Sequence, residues 1–440
     1  MAIIGAGPIG LAAAAHVLAT GGRPIVLERG RASGASVRDW SHVRIFSPWS
    51  YNIDPVARRL LLASGWREPH AEDFPTGGEL VRHYLEPLSK LPALATHLRF
   101  GHEVTAVARR GVDKLKTQGR GERPFTLRVR RQDGAEEEIE ADAVIDASGT
   151  WTEPSPLGGD GLPAIGEDRL KQRLSYGIPD VLGADRRRYA GKSVAVAGAG
   201  HSAIGTLVDL ATLAKEEGSG RIRWLIRSAN PTRAYGGGDA DALPERGALG
   251  SQIRLLVEAG QVELVPSFRV EKVDAAGDGL ALTSADGRRI DADRVVVATG
   301  FRPALSFLSE LRLALDPALE CPSALAPLID PNVHSCGTVP PHGADVLGHP
   351  EPGFFVVGMK SYGRAPTFLM RTGYEQVRSV VAHIMGDHEA ARRVELTLPA
   401  TGVCSGPAPK AEAAGCCAPS CCDAGAAVEA TPSKVLEPAQ

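Results

Sequence analysis

One arrangement occurs twice along the chain and leaves few folds open. An apolar strand runs into a tight glycine turn, the turn opens a helix, and a later apolar strand capped by Ala-Ser/Thr-Gly closes the unit. The first copy starts at Ile3-Ile4-Gly5-Ala6-Gly7-Pro8-Ile9-Gly10, continues as an Ala-rich helix to about Ala19, and stops at Gly21-Gly22. It passes a hairpin signal, Asp133-Gly134 between Phe125–Arg131 and Glu137–Ala141, and closes on Ala143-Val144-Ile145-Asp146-Ala147-Ser148-Gly149. The second copy starts at Ser193-Val194-Ala195-Val196-Ala197-Gly198-Ala199-Gly200-His201-Ser202-Ala203, carries the hairpin signal Asp286-Gly287, and closes on Val295-Val296-Val297-Ala298-Thr299-Gly300. Strands alternating with helices in this way predict an α/β class with parallel, doubly wound sheets and β-hairpin insertions.

The glycines carry a chemical meaning in this setting. Gly5, Gly7 and Gly10 allow the tight turn, let the backbone touch a pyrophosphate and let the helix pack on the strand, while the helix N-terminus supplies partial positive charge. Pro8, inside the same turn, is a further candidate cofactor contact. Glu28, ending Pro24-Ile25-Val26-Leu27-Glu28 with Arg29 beside it, has the place to accept both ribose hydroxyls of an adenosine. A structural glycine turn with a surface glutamate is the competing reading, and the strand, turn and helix around it weigh against that. The second site uses Gly198, Gly200 and Ala203, where alanine takes the third glycine's place, with His201 and Ser202 in the turn. Its next strand, Ile222 to Ile226, ends in Arg227 and Ser228 without a carboxylate, and an arginine there can hold a 2′-phosphate. NADPH is thereby favoured over NADH, unless Arg227 is an ordinary solvated arginine. Gly149, Thr150, Gly300 and Gly358 stand at strand ends as further cofactor contacts. Two Rossmann-like sites in one chain suggest that electrons pass from a nicotinamide to a second dinucleotide, for which FAD is the economical choice.

The expected organisation is an FAD-binding domain in two parts, residues 1–155 and 295–398, around an NADPH-binding domain at 190–294, followed by a disordered tail at 399–440. The return segment is expected from the buried-strand pattern Gly353-Phe354-Phe355-Val356-Val357-Gly358 and the helical spacing from Phe368 to Met385. The tail is rich in Ala, Pro and Gly and lacks aromatic residues, so it buries too little apolar area to offset chain entropy. A net charge of −3 leaves no footprint for nucleic acid, and the lack of an 18-residue apolar run excludes a spanning helix, so a small-molecule partner is expected. No signal peptide fits before Gly5, and no cysteine precedes Cys321, which together predict a cytoplasmic protein. Only Ala2 to Ile4 remain for the first strand, which suggests native residues upstream.

Five of the seven cysteines, Cys404, Cys416, Cys417, Cys421 and Cys422, lie in the tail. Adjacent cysteines close a strained ring with each other, so the two vicinal pairs suit a thiophilic ion. Zinc and an incidental low-complexity cluster are the alternatives. His334, Cys336, His342 and His349 share one Pro/Gly-rich region, but their spacings match no metal pattern.

The order of Gly5-Ala6-Gly7-Pro8-Ile9-Gly10, Gly198-Ala199-Gly200-His201-Ser202-Ala203 and Ala298-Thr299-Gly300-Phe301-Arg302-Pro303 resembles the two-dinucleotide-binding-domain flavoproteins over about residues 1–390. These include thioredoxin-reductase-like enzymes and class B flavin-dependent monooxygenases. Disulfide reductases of the group carry a redox cysteine pair beside the flavin, and residues 1–320 contain no cysteine. Asp73-Phe74-Pro75-Thr76-Gly77-Gly78-Glu79-Leu80 followed by Tyr84-Leu85 is similar to a monooxygenase segment. Two departures stand against it: no F-x-G-x-x-x-H motif occurs in Gly177 to Lys192, and Gly358-Met359 replaces a Gly-Asp that contacts the flavin's ribityl chain.

The resemblance places Asp39 to Asp54 against the isoalloxazine, where Trp49 walls the ring and Asn52 or Ser47 donates a hydrogen bond to an oxygen adduct of the reduced flavin. The alternative is a packed loop in which Trp40, Phe46 and Trp49 are core. Together with the cysteine tail, Val43 to Asp54 is similar to flavin-dependent monooxygenases of arsenic-resistance gene clusters. That implies a trivalent arsenical, such as methylarsenite, as substrate and molecular oxygen as co-substrate. A thiol-tailed metalloid-binding protein and a flavin-dependent thiol or quinone reductase remain as alternatives, and no catalytic acid or base is identified.

Overall fold

The computed structural model describes residues 1–396 except 239, 240, 242, 334–338 and 367. The first unit runs β1 (Ala2–Ile4), α1 (Pro8–Ala19), β2 (Ile25–Glu28) and β3 (Leu98–Phe100), then a three-stranded antiparallel sheet of β4 (His102–Arg109), β5 (Phe125–Arg131) and β6 (Glu136–Ala141), then β7 (Val144–Asp146). The second unit repeats this plan. β8 (Leu174–Tyr176) precedes β9 (Ser193–Ala197), α2 (His201–Glu217), β10 (Arg221–Leu225), α3 (Pro244–Glu258) and β11 (Glu263–Val265). An antiparallel sheet of β12 (Val270–Ala276), β13 (Gly279–Ser284) and β14 (Arg289–Ala292) leads into β15 (Arg294–Val297). The chain then returns through β16 (Phe354–Val356) and α4 (Met370–Ile384).

Both main sheets are parallel throughout, in the orders β16-β7-β1-β2-β3 and β11-β10-β9-β15-β8. The central strands β1, β7, β9 and β15 are mostly apolar, as expected where both faces are covered. On one face of the first sheet, Ile3, Val26, Ile145 and Phe355 pack against α1 and α4. On the other, Ala2, Ile4, Val144 and Val356 meet Val107, Phe125 and Leu127 of the antiparallel sheet. The second sheet is sandwiched alike, with Val194, Val196 and Trp224 toward α2 and Ala195, Val295 and Val297 toward Val273 and Leu282. The α/β class with hairpin insertions is as expected, while the layer on the second face is the hairpin sheet itself rather than helices.

β16 pairs with β7, register Phe355 to Ile145, so the return segment completes the first sheet. The second sheet reaches beyond the 190–294 range expected for it. β8 adds an edge at Leu174–Tyr176, with Leu174 buried, and β15 extends to Val297 through the buried Val295, Val296 and Val297, each paired in a parallel ladder. In β5 and β6, Arg128 faces Glu138 and Arg130 faces Glu136 as directly opposed pairs. Among the described residues, no helix is long and apolar enough to cross a membrane. The segment 399–440 expected as a disordered tail lies outside the described residues.

Candidate functional site

The first cradle forms where β1 breaks into Gly5, at φ +99°, a left-handed conformation that glycine adopts without penalty. A Cβ on Gly5 would stand 2.9 Å from the Ala147 carbonyl oxygen, and one on Gly10 only 1.9 Å from that of Gly5. These two glycines therefore let β7 and α1 close on the turn. Gly7 differs, because a Cβ there would meet nothing within 4 Å. The open space lies at the N-terminus of α1, where Gly7 gives no side-chain cap and Pro8 takes the first turn. Gly149, at φ +71°, also faces open space at the end of β7 beside the buried Thr150. Such a cradle, which Cβ atoms would begin to fill, fits a dinucleotide pyrophosphate.

Glu28 is 8% exposed, and the backbone N–H groups of Ala6 and Gly30 each donate to it at 2.7 Å. Its carboxylate is thus aimed before any ribose arrives. Arg29 is exposed and borders a cavity of about 380 Å³ with Gly30, Glu103 and Arg130. Gly358, at φ +71°, follows β16 and backs onto Ile9 of α1.

The second cradle repeats the geometry. Gly198 has φ +137°, and a Cβ on it would meet the Ala298 oxygen at 2.2 Å, whereas Gly200 and Gly300 face open space. Ala203 is fully buried at the place of Gly10. His201 opens α2, followed by Ser202, whose carbonyl accepts from the Thr206 hydroxyl. Burial, followed by the charge of Arg246, pushes the His201 imidazole down to about 4, so it is neutral at pH 7. Arg227 lies exposed past the end of β10, its guanidinium 3.4 Å from the Gly159 carbonyl.

The segments that follow the two closing strands cross each other. Ser155 donates its N–H to the Gly300 carbonyl at 2.8 Å and accepts the Thr299 hydroxyl at 2.8 Å, while Arg302 donates its N–H to Glu153. Trp151 and Phe301, each two residues or fewer beyond a cradle glycine, lie 4.7 Å apart, and Trp40 adds a third ring 6.4 Å from Trp151. Phe46, from the loop after Trp40, reaches the second cradle and meets His201 edge-on at 5.3 Å.

The segment from Ser47 to Asp54 is tied internally by side-chain hydrogen bonds. Asn52 is fully buried, donates one amide N–H to the Ser47 carbonyl at 2.8 Å and accepts the Ser47 hydroxyl at 2.7 Å, so the Ser47 hydroxyl proton and one of the two Asn52 amide protons are engaged within the loop. The Asn52 carbonyl accepts from the Tyr374 hydroxyl, tying the loop to α4. Trp49 is buried with its ring edge-on to His83 at 6.5 Å, and both line a cavity of about 630 Å³ with Arg44, Arg67, Phe74 and Glu79.

Cys404, Cys416, Cys417, Cys421 and Cys422, as well as His334 and Cys336, lie outside the described residues. Cys321 is buried, and burial followed by the charge of Asp316 pushes its thiol up to about 12, which keeps it unreactive. No group of three or more His, Cys, Asp or Glu among the described residues has the geometry to hold a metal ion. His342 is engaged by Pro340 and Gln376 instead, and His349 accepts from the Ala314 N–H.

Sequence reasoning missed a cluster beside the first cradle. Lys360, in the turn after β16, donates to Asp146 at 2.6 Å, and both side chains are fully buried. The only linear signal was an aspartate inside the apolar run Ala143 to Ala147.

The model of the pyridine nucleotide-disulphide oxidoreductase family matches residues 2–323. No curated protein matches the chain. Among solved structures, the fold is similar to bacillithiol disulfide reductase from Bacillus cereus, with 19% identity, a TM-score of 0.63, and coverage of 87% of this chain and 98% of that one. It is similar to the FAD-bound cadaverine monooxygenase of desferrioxamine biosynthesis from Erwinia amylovora, with 16% identity, a TM-score of 0.59, and coverage of 91% and 98%. It is also similar to a flavin-containing monooxygenase from Stenotrophomonas maltophilia, with 22% identity, a TM-score of 0.54, and coverage of 87% and 97%. At these identities the likeness is one of fold.

Proposed function

The chain belongs to the pyridine nucleotide-disulphide oxidoreductase family, and on that premise we propose that it is an FAD- and NADPH-dependent monooxygenase of a soft nucleophile, with a trivalent organoarsenical such as methylarsenite as the first substrate to try. One observation carries the choice of an oxygenase over a thiol enzyme. Two dinucleotide cradles are present, linked by hydrogen bonds between residues 153–155 and 299–302, while the one cysteine among the described residues, Cys321, is buried with its thiol raised to about 12.

In this reading residues 1–155 and 295–398 hold FAD, residues 190–294 hold the nicotinamide dinucleotide, and the protein works in the cytoplasm. When bound, FAD supplies a hydride acceptor and the means to activate dioxygen. The chain's own residues bind and orient. The Gly5–Gly10 turn and the N-terminus of α1 hold one pyrophosphate, and Glu28, braced by Ala6 and Gly30, orients the ribose. Gly198–Ala203 hold the other, and Arg227 selects the 2′-phosphate. Trp40, Trp151 and Phe301 set aromatic rings along the crossing. Overall, NADPH, one proton, dioxygen and the substrate give NADP⁺, water and a substrate carrying one added oxygen atom.

A second reading, a thiol reductase, is favoured by the vicinal Cys416-Cys417 and Cys421-Cys422. The test is NADPH oxidation and oxygen uptake by purified protein with arsenite, methylarsenite, sulfides, quinones and disulfides, repeated after deletion of residues 399–440. The oxygenase predicts substrate-stimulated oxygen uptake that survives the deletion with a raised substrate requirement, and an Arg227→Ala variant with at least a tenfold higher KM for NADPH but an unchanged KM for NADH. Disulfide reduction lost with the tail supports the thiol reductase instead. Colourless protein that takes up no flavin and leaves NADPH unspent overturns both.

A further inference from the structure

We propose that Lys360, Asp146 and Ser148 form a positioning device for the flavin seat, clamping the Ser148-Gly149-Thr150 end of β7 to the turn that begins at Gly358. The inference rests on the reading of the first cradle as the FAD site and goes beyond it by naming what sets that cradle's width.

The cluster is a built one. The Lys360 ammonium donates to Asp146 Oδ2 at 2.6 Å and to Ser148 Oγ at 3.1 Å. The Ser148 hydroxyl donates to Asp146 Oδ1 at 2.6 Å, and the Ser148 N–H donates to the same oxygen at 3.1 Å. The remaining side of the ammonium rests over the Phe307 ring, 4.4 Å from its centroid. Lys360 and Asp146 are both wholly shielded from solvent.

Its place is equally specific. Asp146 is level with Ile4 across the β1–β7 ladder and with Val356 across the β16–β7 ladder, so the pair sits at the strand ends where Gly5 begins its turn. The Ser148 Cα lies 3.1 Å from where a Cβ on Gly5 would be, and Gly149 next to it faces the open cradle. On the other side, Gly358 backs onto Ile9 in the first turn of α1.

Stability alone does not account for these charges. The rest of that sheet face is apolar, with Ala2, Ile4, Val144 and Val356, and buried ion pairs can often be replaced by apolar side chains without loss of stability. The turn does not need Lys360 to form, either. Gln376 of α4 accepts the Gly358 N–H at 2.8 Å and donates to the Ser361 hydroxyl at 2.9 Å, and that hydroxyl donates to the Gly358 carbonyl. The hydrogen bonds of Lys360 go instead to the neighbouring strand end, which is the wall carrying Gly149. What the ion pair adds is a fixed distance between the strand end that carries Gly149 and the turn that begins at Gly358.

The test compares wild type, Ser148→Ala, and the neutral double variant Asp146→Asn with Lys360→Met, each stripped of flavin and titrated with FAD. Flavin fluorescence, the visible spectrum of the bound flavin and the thermal midpoint of the apo-protein are read. The double variant is expected to keep its apo-protein midpoint while its FAD Kd rises at least tenfold and the fine structure of the flavin band blurs. Ser148→Ala, which retains the charges and therefore folds, is expected to raise the Kd several-fold at an unchanged midpoint. FAD binding by both variants within twofold of wild type, with unaltered spectra, overturns the positioning role alone. Wild-type apo-protein that takes up no FAD overturns the FAD reading of the cradle together with this inference.

Discussion

Residues that look equivalent in the glycine turn do different work, and substitution separates them. Gly7 has φ −77° and ψ −173°, a conformation open to alanine, and a Cβ there meets nothing. Gly7→Ala is therefore expected to leave the thermal midpoint of the apo-protein nearly unchanged while weakening FAD binding at least tenfold, as measured by fluorescence titration. Gly10→Ala forces a methyl 1.9 Å from the Gly5 oxygen, so the backbone has to shift. Overpacking of that kind costs about 1–3 kcal/mol, and a lowered apo-protein midpoint is the expected result. These roles were legible in the linear pattern because a turn is local. The commitment of Asn52 to Ser47 was not, since it depends on the backbone folding a side chain back onto its own loop rather than outward.

At the scale of elements, the antiparallel sheet is fastened to the return segment by a buried carboxylate between two arginines. Glu351 accepts from Arg109 of β4 at 2.7 Å and from Arg120 at 2.7 Å, and Arg312 adds its N–H at 3.1 Å. Arg109 also stacks its guanidinium over Phe125. Removing the carboxylate strands two buried cations, so Glu351→Ala is expected to cost about 3–5 kcal/mol in urea unfolding. Burial pushes the Glu351 pKa up, but the hydrogen bonds from Arg120, Arg109 and the Arg312 N–H outweigh it and hold it below the ordinary 4.5. With the folded value depressed, its stabilisation is complete above pH 4.5 and fades as the pH falls through the lower value. Acid unfolding of the wild type is accordingly expected to be steeper than that of Glu351→Gln. The hairpins themselves were readable from Asp133-Gly134 and Asp286-Gly287, whereas the clamp joins positions more than 230 residues apart, which no local signal connects.

The whole molecule places two such units so that their closing strands meet at Trp151 and Phe301. If this crossing carries reducing equivalents between the cradles, Trp151→Ala and Phe301→Ala should each slow anaerobic reduction of bound flavin by NADPH while leaving the FAD Kd within a few-fold of wild type. A double-mutant cycle on unfolding is expected to return a coupling of about 0.5–1.5 kcal/mol for the ring pair. Unchanged reduction rates in both variants sink that role. The sequence by itself determined the α/β class, the twin glycine cradles and most strands, because turn chemistry and apolar runs act over a few neighbouring residues. Only the tertiary structure decided that β8 joins the second sheet, that Phe46 reaches His201, and that Lys360 finds Asp146 across 214 positions. Those outcomes depend on which strand ends the sheets bring side by side, and a buried charge is tolerated only where that juxtaposition supplies its partner.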